Sequence, residues 1–530
     1  MTIRCRPVGV LAVAVAVLLA ASALPEPASA YRAPVIAGPL ASLLSASRDL
    51  GPSGAGDAQL TVSLTRSDRT DSLSSWARGR RLDVRWQPGD EWAIVHGAAR
   101  DLARAFDVPI HDYRGRRNQV FYASARQPAV PAALAGDVSA VGRILSYTPH
   151  RMARPPAPRD VPPHGLTPQA LLTTYNAAPL AAAGHTGQGA TIVFFAFDGY
   201  DQADLDAFAD LSGLPRFTPV VVGGRPDQVH GETAMDLQVA HAIAPDARLV
   251  VVNARPTVEG GGTFEKLSQL FTEADRQFPG AVWSLSIGWG CEKIVTATDL
   301  APVRSALSRA HRNGTSAFDA SGDTAGLECK GGEDFSSPPG AQDVGVDAVA
   351  SVPEMTSVGG TTLSTDPQGR WLAEHAWTDV PMSQGTSGGV TTLFDRPLFQ
   401  RAVSTARDTA HRLVPDVAAV ADPFTGVRMV YDGRVVLGGG TSQAAPIWAA
   451  LTVLMNQYVI AHGGKRLGDL NPLLYRVAAG SKLPAFREIN LGSNAVDVAA
   501  AGYDLLTGLG SPNVANLARE LLDAQNSTRP

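Results

Sequence analysis

The chain has 530 residues, 45% of them hydrophobic and 18% charged, a globular composition that excludes wholesale disorder. The net charge is −5 and no basic run is interleaved with aromatics, so nothing in the sequence marks a nucleic-acid binder. The length allows about three or four domain-sized units, or fewer if one is large.

MTIRCR is short and basic, VGVLAVAVAVLLAASAL is apolar, and PEPASA ends in the small-residue pattern Ala28-Ser29-Ala30. This predicts a signal peptide over residues 1–30, cleaved before Tyr31, and a secreted chain with no membrane segment after cleavage. A retained membrane anchor is the competing reading; the short run and the adjacent cleavage site argue against it. Cys5 leaves with the signal. Cys291 and Cys329 remain, and outside the cell they are expected to form a disulfide, two buried thiols being the alternative.

Residues 31–160 differ from the rest of the chain. QLTVSLTRSD alternates as a strand, GDEWAIVHGAARDLARAFDVPI has helical spacing, and NQVFYASA reads as another strand, which together predict a small α+β unit folded over about 45–150. RMARPPAPRDVPPHG then reads as an extended linker and a natural cleavage site. This section carries 18 arginines against 12 acids, about +6, while residues 161–530 carry about −12. A basic module can dock on an acidic body, and protonating the body's carboxylates is expected to loosen it.

From Leu166 the pattern becomes α/β. GATIVFFAFDG, ARLVVVNA, AVWSLSIG and TSAFDASGD are apolar strands, and ADLDAFADLSG, ETAMDLQVAHAIA, FEKLSQLFTEADRQF and APVRSALSRAHRNG are helices between them. Such alternation predicts a parallel sheet with helices on both faces and chemistry at the carboxyl ends of the strands.

Three segments carry that chemistry. GGGTSQAAPIWAALTVLM places Ser442 after a glycine run, ahead of an apolar helix. In HGETAMDLQVAHAIAPDARLVVV, Glu232 and Asp236 are four apart and share a helix face; partly buried, the pair would share a proton and could accept one from a serine hydroxyl. In FDASGDTAG, Asp323 stands in a Gly-rich turn after a strand, where a protonated carboxyl could donate to a developing oxyanion. Each segment also has a structural reading: an N-cap serine, two solvated acids, a turn aspartate. Histidine offers no clear base. His230-Gly231 resembles part of the His-Gly-Thr-His of subtilisins, but Glu232 holds the histidine's place, and His241 lies five residues past Asp236 on another face.

In this order the segments resemble the sedolisin family, the serine-carboxyl peptidases. LTPQALLTTYN, MTSVGGTTL, TSGGV, LVPDVAAVADPFTG and GYDLLTGLGSP match further landmarks of that family. The resemblance implies a subtilisin-like catalytic domain over 161–530, preceded by a ferredoxin-like activation propeptide that inhibits its own chain. It implies Ser442 as nucleophile, Glu232 as general base and then acid, Asp236 orienting Glu232, and Asp323 donating to the oxyanion. Carboxylates in these roles predict an acidic optimum, on the order of pH 3–5 from ordinary carboxyl values.

The resemblance also implies one calcium ion, held by oxygens of Glu488, Ile489, Ala500, Gly502 and Asp504, with Asp497 an alternative and Glu488 standing where the family has aspartate. SLSIGWG resembles the strand that pairs with the peptide, making Ser286 and Gly288 candidate substrate contacts, with Trp289 beside them. The expected protein is a monomer acting on proteins or peptides, by internal cleavage or by removal of tripeptides. Two other readings are a subtilisin-type enzyme using His230 and an inactive secreted binding protein on a peptidase scaffold.

Overall fold

The computed structural model describes residues 33–54, 56–116, 118–149, 165–330, 340–379, 384–403, 405 and 410–527. The expected signal peptide and nearly all of the proline-rich linker lie outside the described residues.

The N-terminal unit contains α1 (Pro39–Ser45), β1 (Arg48–Pro52), β2 (Asp57–Leu64), α2 (Asp71–Arg78), β3 (Asp83–Arg85), β4 (Trp92–Ala98), α3 (Ala99–Phe106), β5 (His111–Arg114), β6 (Val120–Ala123) and β7 (Val138–Val141). Its main sheet runs β3-β4-β2-β7, antiparallel throughout, with helices following the first and third of these strands in chain order. That connectivity is the ferredoxin-like arrangement. Leu60, Val62, Leu73, Val95 and Leu102 form its core.

Two differences from the sequence reading have physical causes. The segment GDEWAIVHGAARDLARAF divides into strand β4 and helix α3, because its apolar density suits either period and pairing with β2 decides for the strand. Packing also begins earlier than residue 45. Ile36, Leu40 and Leu44 are buried in a cluster that joins Tyr113, Phe121 and Ala123 of this unit to the large domain's core.

The large domain begins with α4 (Pro168–Thr174) and α5 (Ala178–Ala182) and continues with β8 (Thr191–Ala196), α6 (Gln202–Ser212), β9 (Val220–Val222), α7 (Glu232–Ile243), β10 (Arg248–Asn253), α8 (Thr263–Gln277), β11 (Val282–Leu285), α9 (Ala301–Arg312), β12 (Ser316–Ala320), β13 (Thr356–Thr365) and β14 (Trp371–Ala376). The sheet order is β14-β13-β12-β11-β8-β10-β9, with the strand Val417–Val420 also pairing with β13. Every pair is parallel except β13 with β14. Strand periodicity is visible in β8, where Ile192, Phe194 and Ala196 enter one core layer and Val193, Phe195 and Phe197 the other. Both faces are therefore covered, as a parallel sheet requires.

The helix α10 (Thr441–Ala461) lies inside the first layer. It is apolar and long enough to cross a bilayer, but most of it is buried within the fold. Cys291 and Cys329 are joined by a disulfide.

The two units also meet through polar contacts. Arg85 of β3 grips Glu265 of α8 with two bonds, Nε to Oε1 at 2.8 Å and Nη2 to Oε2 at 2.7 Å. Arg309 reaches Asp90 at 3.1 Å, the opposite polarity. The Arg143 N–H donates to Asp299, whose carboxyl burial pushes up to about 6.

Candidate active site

The carboxyl ends of β8, β11 and β12 face the N-termini of α7 and α10. Gly231 precedes α7 at φ +93°, which glycine adopts readily, and Glu232 is the first helical residue. Glu232 and Asp236 sit one turn apart and are 8% and 4% exposed. Gly440 precedes α10 at φ +84°, and a Cβ there would stand 2.7 Å from Asp323 Oδ2. The glycine run thus lets the start of α10 close on the turn after β12.

Asp323 caps α10. The Thr441 N–H donates to Asp323 Oδ1 at 2.7 Å and the Thr441 hydroxyl to the same atom at 2.8 Å. The Gly322 N–H in turn donates to Thr441 Oγ1 at 3.1 Å. Ser442 follows immediately, and its hydroxyl donates to the Ser286 carbonyl at 3.2 Å. Ser286 Oγ returns toward the same helix, 3.0 Å from the Ser442 carbonyl oxygen, and donates to Asp236 Oδ1 at 2.9 Å.

Glu232 is held well above the ordinary carboxyl pKa, chiefly by burial. The neighbouring charges of Asp236, Asp198 and Asp323 add to this, and the Ser442 hydroxyl beside it pulls the other way. Asp236 is also raised, by burial first, against the Ser286 hydroxyl bond that favours its ionised form. Glu232 Oε1 has no hydrogen-bond partner among the described residues. The four expected acid and serine residues are therefore within one electrostatic neighbourhood, with an unoccupied acceptor on Glu232.

The histidines lie elsewhere. His230 directs its ring to Gln228 Oε1 at 3.1 Å. His241 is buried, bonds through Nε2 to the Pro215 carbonyl at 2.8 Å and stacks on Phe217. Ser286 directly follows β11, and Gly288 is half-buried two residues further on. Trp289 is buried edge-on to Phe197 and lines a cavity between the two units with Tyr147 and Pro149.

At the expected cation turn, the Gly502 N–H donates to Glu488 Oε1 at 2.5 Å. Asp504 Oδ2 accepts from the Ala500 N–H at 3.3 Å and the Thr507 hydroxyl at 3.0 Å. Both carboxylates thus close on one turn that also carries the Ala500 and Gly502 carbonyls, while Ile489 is buried beside Glu488. Asp497 stands on the preceding loop, where its N–H donates to Asn494. Among the described residues no three His, Cys, Asp or Glu side chains group as a metal cluster. A cation here would rest on two carboxylates and backbone carbonyls, an all-oxygen set that suits calcium.

Sequence reasoning missed Thr441, Thr233 and Asp198. Thr441 is visible inside Gly-Thr-Ser, and Asp198 closes the apolar strand GATIVFFAFDG. Their roles depend on tertiary neighbours that no local pattern announces.

Comparison with known proteins accords with this geometry. Residues 58–147 match the pro-kumamolisin activation domain. Kumamolisin of Bacillus sp. (strain MN-32) is 31% identical over 456 residues, 81% of this chain and 77% of that protein. Sedolisin of Pseudomonas sp. (strain 101) is 25% identical over 450 residues, covering 80% and 73%, and tripeptidyl-peptidase 1 of Bos taurus is 25% identical over 465 residues, covering 82% and 78%. Among solved structures, Pseudomonas sedolisin, a serine-carboxyl proteinase complexed with two molecules of pseudo-iodotyrostatin, shares the fold. Its TM-score is 0.57 at 24% identity, over 68% of this chain and 98% of that one. With an activation domain in front and this likeness to kumamolisin along most of both lengths, the chain belongs to the sedolisin family of serine-carboxyl peptidases.

Proposed function

We propose that this peptidase is a secreted zymogen that activates itself in acid and hydrolyses peptide bonds through Ser442, Glu232 and Asp236. The observation that carries the reading is the unpartnered Oε1 of Glu232 in the neighbourhood of the Ser442 hydroxyl.

In this reading Ser442 Oγ turns from the Ser286 carbonyl to Glu232, gives up its proton there and attacks the scissile carbonyl carbon. Asp236 hydrogen-bonds to Glu232 and orients it, itself held by Ser286 Oγ. The carbonyl oxygen gains charge and is met by a proton on Asp323. Thr441 occupies Oδ1 with two donors, so that proton belongs on Oδ2. Glu232 then protonates the leaving amine, and the acyl group stays on Ser442. Water, deprotonated by Glu232, attacks the ester; the acid product leaves and Ser442 recovers its proton. Ser286 and Gly288 follow β11, on the segment that would pair with the substrate backbone.

The pH–rate profile is bell-shaped and belongs to the set of carboxyls, not to one residue. Glu232 must ionise while Asp323 keeps its proton, so the optimum is acidic. Glu488 and Asp504, with carbonyls of Ile489, Ala500 and Gly502, would hold calcium, which ties the C-terminal turn and takes no part in the chemistry. The enzyme acts as a monomer.

The test is incubation of purified zymogen at pH 4. Wild type should shorten near the linker while Ser442→Ala and Glu232→Gln stay at full length. A maximum near pH 8, or activity lost in His230→Ala and kept in Glu232→Gln, would replace this reading with a histidine mechanism.

A further inference from the structure

Asp198 lies just beyond β8, fully buried, and its carboxylate meets the start of α7. Oδ1 accepts from the Thr233 N–H at 3.0 Å and the Thr233 hydroxyl at 2.5 Å, and Oδ2 accepts from the His230 N–H at 2.9 Å. These bonds span the two sides of Glu232. Asp198 also lines one cavity with Glu232, Asp236 and Ser286. The Asp198 side chain caps α7 in place of Gly231, which has none.

We propose that Asp198 is a positioning residue for peptide hydrolysis: it clamps the backbone on both sides of Glu232 and sets its carboxylate behind the Glu232–Asp236 pair. The inference rests on reading Glu232 as the base. The clamp limits how Glu232 can turn toward Ser442. The charge favours the protonated form of both acids. The titratable groups around Glu232 are Asp236 on its own helix, Asp323 from the turn after β12 and Asp198 after β8. Tyr431 faces Asp198 from the strand Arg428–Tyr431.

Removing the charge while keeping the shape should therefore release Glu232's proton more readily. In matured enzyme, Asp198→Asn is expected to lower kcat about tenfold with KM nearly unchanged. It should also move the acid limb of the kcat/KM profile down by about one pH unit. Thr233→Val loses a clamp bond but keeps the charge, so its rate should fall with the acid limb in place. If Asp198→Asn does not fold, Asp198→Glu serves: the acid limb should stay within a few tenths of wild type while kcat falls.

An unmoved limb in Asp198→Asn, an equal shift in Thr233→Val, or a displaced limb in Asp198→Glu would overturn the inference. Glu232→Gln, run alongside, separates the two failures. If it is inactive while Asp198→Asn matches wild type, only the role of Asp198 falls; if it keeps full activity, the base assignment falls and takes this inference with it.

Discussion

Thr441 sets two donors on one oxygen of Asp323, its N–H at 2.7 Å and its hydroxyl at 2.8 Å. The residue before the serine thereby holds one oxygen of the proposed oxyanion donor. Thr441→Val keeps the backbone bond and the shape but removes the hydroxyl, leaving one of those two donors on Oδ1. We expect kcat to fall roughly 10- to 100-fold with KM little changed, the pattern of a lost transition-state donor. Steady-state kinetics at several pH values would check it; a rise in KM alone would place Thr441 in substrate binding.

Two buried acids outside the site make folding stability depend on pH. Asp319 and Asp347 are both fully buried, and neither oxygen of Asp319 has a hydrogen-bond partner among the described residues. Burial, then Glu328, pushes the Asp347 carboxyl up to about 8, and burial, then Asp347, holds Asp319 well above its ordinary range. A folded pKa above the unfolded value means the native state keeps a proton that the unfolded chain has lost. Stability is then full below about pH 4 and declines as pH rises toward 8. Asp319→Asn should raise the melting temperature by several degrees at pH 7.5 and change it little at pH 4. Scanning calorimetry of the Ser442→Ala background at both values decides this; equal shifts at the two pH values would refute it.

Much of this architecture is legible in the sequence. The spacing of Glu232 and Asp236, the strand–helix alternation from Leu166 and the glycines before Ser442 are local signals, and local structure follows them. Trp92–Ala98 is not legible as a strand, because an apolar run of that length satisfies two periods and only its partner strand β2 selects one. Asp198 and Asp319 carry no mark in the sequence, since an aspartate near a strand end reads as a turn former. Their burial is set by helices and loops distant in sequence.

The disulfide lies next to a residue that holds the loop carrying Asp323. Cys329 follows Glu328, whose carboxylate accepts from Ser387 Oγ at 2.8 Å and from the Thr324 hydroxyl, bracing the loop that carries Asp323. The bridge joins residues 38 apart. Cys291→Ser with Cys329→Ser should therefore destabilise by about 2–4 kcal/mol. The loop's looser hold on Asp323 should also lower kcat below that of intact enzyme at temperatures where both are folded. Thermal melts paired with kinetics measure the two effects; a destabilised variant with unchanged kcat would confine the bridge to folding.

Calcium predicts a separate response. If the turn of Glu488 and Asp504 holds the ion, chelation should lower the melting temperature, because a ligand at a hundred times its Kd stabilises by about 2.7 kcal/mol. Glu488→Gln should melt lower than wild type in calcium and show little further drop on chelation. Identical melting of wild type with and without chelator would remove the ion from the turn.

The proposed activation in acid makes the charged contacts between the two units the place to test release. Burial raises the Asp299 carboxyl to about 6 and also raises that of Asp90, while their partners across the interface, Arg143 and Arg309, pull the two the other way. Arg85–Glu265 sets a basic propeptide side chain on a carboxylate of the large domain through two hydrogen bonds. Arg85 is partly exposed, which limits the contribution of the pair. Glu265→Gln removes the charge that Arg85 grips, so its zymogen should process up to about tenfold faster than wild type at pH 5–6. Time courses on gels at pH 5–6 read this variant, and a Glu265→Gln zymogen no faster than wild type would show that release runs through another contact.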